Sequence, residues 1–260
     1  MGYRGGWIFS LPGVVGRALL DFVYPPHCLV CGRYLEEARR YLCDRCWGEI
    51  LVCYPHRCQR CSCPLEKEVP VCFNCRTWEP AFERVLIMGF FSGALQQAVH
   101  QLKFRGERGL GRELGRCLGR APEFAGTLPE VDLLIPVPLH PARQRERGFN
   151  QSGYIAQGLA QVLGKPLRND LLKRRFPTSP QAQLDAAARR QHLHGAFQVK
   201  GPLPGHTCIG LVDDVVTTGT TLDTCARTLV QAGATRVWGL ALACPFHRPA
   251  AGRVLPAILS

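Results

Sequence analysis

Acidic side chains are scarce in this 260-residue chain: 20 Asp and Glu face 32 Lys and Arg, a formal net charge of +12. Half of that excess sits in residues 151–200, where eight basic residues meet two acidic ones. Such a balance suits phosphate-rich partners, small phosphorylated ligands or nucleic acid, although a merely solvated basic surface has the same composition. No run of 18 apolar residues occurs, so no transmembrane segment is expected. Residues 7–24 come nearest, but Arg17 and Asp21 interrupt them, and no small-residue cleavage site precedes Pro25-Pro26. The stretch reads as an amphipathic helix rather than a signal peptide, packed on the protein body or resting on a membrane surface. No Gly-x-x-x-x-Gly-Lys-Ser/Thr is present, which excludes a Walker loop. Gly109-x-Gly111-x-x-x-Gly115 has the wrong spacing, and no preceding strand, for a dinucleotide fingerprint.

Apolar residues make up 46% and charged residues 20% of the chain, enough for a packed core in one large domain or two modest ones. Cysteine is abundant. Ten of the 14 cysteines lie between Cys28 and Cys75, and eight of these form Cys-x-x-Cys pairs: Cys28/Cys31, Cys43/Cys46, Cys58/Cys61 and Cys72/Cys75. Thiolates separated by two residues grip one side of a tetrahedral Zn²⁺, and two such knuckles complete a site. Disulfides would need an oxidising compartment, and no export signal is visible. No thioredoxin-like βαβ pattern surrounds any pair, which argues against a redox role. The simplest pairing joins Cys28, Cys31, Cys43 and Cys46 around one metal, and Cys58, Cys61, Cys72 and Cys75 around a second. Crossed pairings fit the spacing equally. Cys53 and Cys63 fall outside the knuckles, with Cys63 placed to compete with Cys61. Gly32 suits a tight knuckle turn. A module this short has little apolar core, so the metals are expected to supply much of its stability. Contact with DNA, RNA or protein is an additional expectation.

The most informative stretch is Ile209–Thr221. It begins as a short apolar run of strand type, closes on Asp213 and Asp214, and continues into a Thr/Gly-rich turn before a helical pattern from Leu222. Ionised carboxylates only accept hydrogen bonds and so suit sugar hydroxyls. Hydroxyls and backbone N–H groups ahead of a helix N-terminus suit an anion, because those N–H groups lack intrahelical partners. Gly219 lets the backbone turn or approach a ligand closely. The competing structural reading makes Asp214 and Thr220 helix caps, but two adjacent acids closing a buried strand are costly without a partner.

Hydrophobic-Asp-Asp-Val-Val-Thr-Thr-Gly-Thr-Thr resembles the signature of type I phosphoribosyltransferases that binds 5-phosphoribosyl 1-pyrophosphate (PRPP). The resemblance implies an α/β fold with a parallel sheet flanked by helices. It implies that Asp213 and Asp214 hold the ribose hydroxyls and serve catalysis. Val216, Thr217, Thr218, Gly219, Thr220 and Thr221 would wrap the 5′-phosphate. Chemistry at such a site is displacement at ribose C1 with pyrophosphate leaving, and Mg²⁺ would bridge pyrophosphate and ribose hydroxyls.

The rest of the chain supplies further expectations. Residues 80–92 read as strand, and from Gly93 the periodicity turns helical, with Leu95, Ala98, Val99 and Leu102 on one face. Lys103 is placed either to reach a ligand phosphate or to stabilise a helix C-terminus. A basic helix follows to about Gly119, then a linker over 121–130 and a buried strand from Val131 to Val137. Arg143, Arg145 and Arg147 read as a basic loop at the C-terminal end of that strand, where ligand groups of open parallel sheets collect. Guanidinium forks there suit phosphate oxygens. A helix is expected from Ser152 to Leu163, a short one from Leu184 to Leu193, another from Leu222 to Ala232 ended by Gly233, and a closing strand from Arg236 to Ala243.

Pro-Val-Pro-Leu followed by Arg-x-Arg-x-Arg-Gly-Phe-Asn-Gln resembles the ComF family, in which a cysteine module precedes a phosphoribosyltransferase-fold domain. Leu102-Lys103-Phe104-Arg105-Gly106, Thr178-x-x-Gln181-x-x-Leu184, Arg189 and Gly195-Ala196-Phe197 match further family segments, so the resemblance runs from about Leu20 to Ala243. His192 departs from it, where an Asn is usual. By resemblance, the segment around Lys173, Arg174 and Arg175 is a mobile lid over PRPP, whose positive charge would meet the leaving pyrophosphate. The implied layout is an N-terminal helix (1–27), a double zinc ribbon (28–79), a phosphoribosyltransferase-like domain (80–246) and a tail (247–260). ComF-like proteins are linked to natural transformation and use of external DNA. That implies a cytoplasmic protein handling single-stranded DNA beside PRPP, with other DNA-uptake proteins as partners. A nucleobase phosphoribosyltransferase of salvage and a non-enzymatic PRPP sensor that binds nucleic acid are the alternatives. A salvage enzyme does not need the cysteine module.

Overall fold

The computed structural model describes residues 25–36, 41–51, 54, 56–62, 65, 67–76, 79–126, 128–176, 195–205 and 207–245. The expected helices over 7–24 and Leu184–Leu193, His192 and the tail from 247 lie outside them. In chain order come α1 (Asp44–Ile50), α2 (Phe73–Arg76), β1 (Arg84–Phe90), α3 (Gly93–His100), α4 (Arg108–Arg120), β2 (Leu133–Pro136), α5 (Pro141–Arg147), α6 (Gln151–Leu163), β3 (Leu172–Arg174), β4 (Phe197–Val199), β5 (Cys208–Val215), α7 (Thr220–Gln231) and β6 (Arg236–Cys244).

Four strands form one sheet in the order β1-β6-β5-β2, with every pair parallel. The central strands β5 and β6 are near-continuous apolar runs, as strands covered on both faces must be. Alternate residues divide the core. Leu86, Met88, Val212, Leu240 and Leu242 pack towards α3, α4 and α6, and Val85, Ile87, Ile209, Leu211 and Ala241 pack towards α7 and the β3–β4 hairpin. Both sheet edges are covered. The Leu134 amide of β2 donates to the Pro166 carbonyl at 2.9 Å. On the other side the Val85 amide of β1 donates to the Arg60 carbonyl at 2.8 Å, and Arg57 donates to the Ile87 and Met88 carbonyls at 2.7 and 3.1 Å. The second cysteine unit thus closes an edge that would otherwise present unpaired backbone.

Two helices are pressed together at a glycine from each, one of them Gly115 from the run that failed to make a nucleotide fingerprint. A Cβ on Gly115 of α4 would run into the Ile155 carbonyl, and one on Gly158 of α6 would run into the Arg112 carbonyl. Only glycine permits backbones so close. This crossing fixes where the first turn of α6 points.

Three local readings change. Residues 141–147 form a helix rather than an open loop, because His140 accepts from the Ala142 amide, Pro141 stands in the first turn and Gly148 ends it at φ 76°. The strand before them is shorter than expected, Leu133–Pro136. The helix after β1 does not simply stop: α3 runs into a π-helical turn over Gln101–Arg105, closed by Gly106 at φ 73°. No helix among the described residues is long and apolar enough to cross a membrane.

Candidate functional site

The C-terminal end of β5 carries Asp213 and Asp214, and α7 starts after a short turn. Asp214 is 4% exposed. Its Oδ1 accepts from the Val215 amide at 2.6 Å, and its Oδ2 lies 3.0 Å from Lys103 Nζ. That second contact is an ion pair without hydrogen-bond alignment, so buried Oδ2 keeps acceptor capacity. Lys103 therefore meets a carboxylate, and the π-helical turn is what brings it there. Such wide turns recur at functional sites. Asp213 Oδ1 accepts from Ser152 Oγ at 3.1 Å and from the Asp214 amide at 2.9 Å. Burial, and then the neighbouring Asp214 charge, push the Asp213 carboxyl up to about 7, against the opposing pull of Lys103 and Ser152.

The turn residues divide by role. The Val216 amide is spent on the Ala243 carbonyl at 2.9 Å, so this residue anchors the turn to β6. Gly219 sits at φ 74° as the residue before α7 and provides no side-chain cap for the helix amides. Thr218 and Thr220 hydroxyls share a hydrogen bond of 2.9 Å, and Thr217 is exposed. Thr221 is half-buried on the first turn of α7. An uncapped helix N-terminus lined by hydroxyls is competent to bind an anion.

A second basic locus is coupled electrostatically to Asp213. Burial lowers the Arg174 guanidinium's pKa and the Arg143 charge lowers it further, while Cys225 and Asp213 oppose them. Arg174 on β3 and Arg143 on α5 therefore share one electrostatic neighbourhood with Asp213, and an anion between them would relieve their repulsion. Helical geometry divides the three arginines of α5. Arg143 and Arg147 lie about 40° apart around the axis, whereas Arg145 is about 200° from Arg143. Arg147 donates to Gln151 Oε1 at 2.6 Å. Lys173 is exposed on β3, beside the half-buried Arg174. Arg175 is exposed and stacks over Phe176, 5.3 Å from its ring centroid. A cleft of about 790 Å³ between α5, α6 and β3 is lined by Gln144, Asn150, Asn169, Lys173 and Arg174 among others.

Sequence reasoning missed Ser152 and Cys225. Ser152 is 1% exposed on the first turn of α6, after Asn150, whose Oδ1 accepts the Ser152 amide at 3.1 Å. The Asn-Gln-Ser run was a legible N-cap signal; that its serine would reach β5 was not. Cys225 is fully buried on α7, and burial, then Asp213, push its thiol up.

In the cysteine module, the Sγ atoms of Cys28, Cys31, Cys43 and Cys46 lie within 4.8 Å of one another, and so do those of Cys58, Cys61, Cys72 and Cys75. The simplest pairing is therefore the one adopted. A tetrahedral zinc with Zn–S bonds of about 2.3 Å sets its sulfurs about 3.8 Å apart; Cys61 and Cys72 stand at 3.8 Å and Cys31 and Cys43 at 3.6 Å. Both knuckles turn alike. Gly32 donates to the Cys28 carbonyl at φ 72°, and Ser62 donates to the Cys58 carbonyl at φ 50°. Cys53 and Cys63 lie outside the described residues.

Comparison with known proteins agrees with this architecture. A double zinc ribbon domain model matches residues 19–76. The chain is 34% identical over 224 residues to competence protein F of Haemophilus influenzae, covering 83% of this chain and 96% of that one. It is 34% identical over 221 residues to DNA utilization protein YhgH of Salmonella typhi, with the same coverage. Among solved structures, glutamine PRPP amidotransferase from B. subtilis is similar at 24% identity and a TM-score of 0.35; the match spans 50% of this chain and only 25% of that longer one.

Proposed function

The chain belongs to the ComF family and is similar to competence and DNA-utilization proteins, and we propose that it is a cytoplasmic PRPP-binding protein acting in DNA uptake and the use of external DNA, where it handles single-stranded DNA. The observation that carries the PRPP reading is the order of groups at the end of β5: an acidic pair, Asp213 half-buried and Asp214 buried, then a hydroxyl-lined turn into an uncapped helix, with Arg174 and Arg143 alongside. In this reading Asp213 and Asp214 accept the two ribose hydroxyls. Thr217 to Thr221 and the first amides of α7 hold the 5′-phosphate. Arg143 and Arg174 meet the pyrophosphate, with Lys173 and Arg175 on the lid. Arg145 serves the rim. Lys103 holds Asp214 in place through their 3.0 Å contact.

Asp214 Oδ2, buried with acceptor capacity left, fits a hydroxyl or a hard cation's water shell. Mg²⁺ arriving with PRPP would neutralise charge on the leaving group. The protein's own part is to orient the ribose and to place carboxylate charge beside C1, where positive character develops on displacement. Zinc belongs to the two four-thiol clusters and is structural.

Titration calorimetry with PRPP and Mg²⁺ tests the site. The wild-type chain should bind, and Asp213→Ala with Asp214→Ala should weaken binding about 100-fold or more, since two charge-assisted hydrogen bonds are lost. Unchanged affinity in a correctly folded double variant refutes the reading. Binding of single-stranded DNA that weakens steeply with salt supports the DNA role. Absence of DNA binding together with base-dependent pyrophosphate release would favour a salvage enzyme.

A further inference from the structure

The π-helical turn that delivers Lys103 to Asp214 sends the next side chain outward. Phe104 is 72% exposed, the highest value among the exposed large apolar side chains described. A single exposed apolar residue is ordinary. The setting of this one is not. The Arg147 guanidinium stands 5.9 Å from its ring centroid, held by its hydrogen bond to Gln151. Arg105 follows it, exposed. Behind it the rings continue inward, His100 edge-on to Phe104 at 5.8 Å and Phe91 to His100 at 5.7 Å. The bordering stretches Arg105–Arg108 and Arg143–Arg147 hold five arginines and two acids, Glu107 and Glu146.

A protein partner would call for a contiguous apolar patch. The other exposed large apolar side chains described are Tyr34 and Leu51 in the first ribbon, Phe176 beyond β3 and Val230 on α7. Phe104 is thus one flat ring among guanidiniums. Every base has a π face to lay on the free side of such a ring, and its flanking phosphates need cations close by, as Arg147 over the other side is. Arg147 and Arg105 supply those cations, and Arg143, about 6 Å from Arg147 along the axis of α5, leads on towards Arg174 and Asp213.

We infer that Phe104 is the stacking site for an unpaired base of single-stranded DNA, with Arg105 and Arg147 on the flanking phosphates, so that the strand lies beside the Asp213–Asp214 site. This rests on the proposed handling of single-stranded DNA and adds where the strand sits and which residue grips a base.

The test is fluorescence anisotropy with the full-length, zinc-loaded chain and a labelled oligo-dT of about 12 nucleotides, within the usual span of such sites. Phe104→Ala and Phe104→Leu should each weaken binding about 5- to 150-fold, the range expected for loss of one base–aromatic stack. Phe104→Trp should retain it, and PRPP affinity should not change in any of the three. An abasic oligomer of the same length should bind wild type and Phe104→Ala equally, because only phosphate contacts remain. Equal oligo-dT affinity for wild type and Phe104→Ala overturns the stacking site while leaving the DNA role standing. A wild-type chain that binds PRPP but no single strand overturns the DNA role and this site with it. An oligo-U of equal length separates the sources: tighter binding to it reassigns the site to RNA and overturns the DNA assignment. Binding of poly-glutamate that falls equally in Phe104→Ala marks an acidic-peptide surface and overturns the base-stacking reading.

Discussion

At the scale of single residues, Asp213 and Lys103 set the charge at the end of β5 and predict opposite shifts. The Asp213 carboxyl, raised from 3.8 to about 7 by burial and by Asp214, holds a proton in the folded chain that the unfolded chain releases near pH 4. Its contribution to stability is therefore fully present below about pH 4 and is lost as pH rises through 7. Urea unfolding of wild type should thus lose more midpoint between pH 5 and pH 8 than that of Asp213→Asn, whose amide does not titrate. Parallel pH profiles would remove Asp213 as the cause. Lys103 pulls the same carboxyl down. Lys103→Met should move the Asp213 titration above 7, readable in its side-chain carboxyl ¹³C shift. The variant should also destabilise the fold at pH 8 by about 1–3 kcal/mol, because the 4%-exposed Asp214 loses its cation. A downward shift of the titration would contradict the ion pair.

At the scale of elements, the α4–α6 crossing decides whether Ser152 reaches Asp213. Gly158→Ala puts a methyl group against the Arg112 carbonyl, a backbone atom that cannot rotate away. Overpacking of this kind costs about 1–3 kcal/mol, and displacement of α6 should weaken PRPP binding with it. Gly48→Ala is the matched control. Gly48 lies in α1, and an added Cβ there meets nothing within 4 Å. The same substitution should stabilise that helix by up to about 1 kcal/mol, through helix propensity alone. Equal urea midpoints for the two variants would refute the close crossing. The α5 helix works on the same scale. Folded as a helix, it splits three arginines that an open loop could have pooled, and leaves Arg143 and Arg147 on the side of Phe104 and Arg174.

For the whole molecule, the zinc ribbons belong to the structural core. The first ribbon contributes Leu35, Leu42 and Ile50 to the same buried cluster as α3 and α4. The second pairs with β1 through Arg60 and binds its carbonyls through Arg57, whose guanidinium also lies over Tyr54 and Phe124. Arg60 in turn donates to the Cys75 carbonyl at 3.0 Å, which ties the second metal cluster to the sheet edge. Metal analysis should give two zinc ions per chain, one for each four-thiol cluster. Chelation should lower the thermal midpoint and PRPP affinity together, since removing the metal releases the β1 edge. A metal-free chain that keeps both would show that the ribbons are appended to the fold rather than part of it. Edge uncovering also predicts self-association of the chelated protein, measurable by light scattering.

Much of this was legible from local pattern. The Asp213–Asp214 pair, the turn to Thr221, the helix after it and the closing strand declare themselves within a few residues, because propensity, glycine placement and helix-start chemistry are short-range. Cysteine spacing named the ligands in the same way, and the apolar runs of β5 and β6 marked central strands. Other features depended on contacts between residues far apart in the chain. Spacing left crossed cysteine pairings open, and only the folded module brought each set of four sulfurs within reach of one ion. Lys103 read equally as a phosphate ligand and as a helix-end charge; a π-helical turn, which no local signal announced, carried it to Asp214. Ser152 meets Asp213 across 61 residues, because two glycines let α4 and α6 touch. The sequence by itself determined which chemical groups the protein holds and on which elements they start. The tertiary structure decided which of them meet, since hydrogen bonds, ion pairs and metal sites depend on distances of a few ångströms that only the packed core sets.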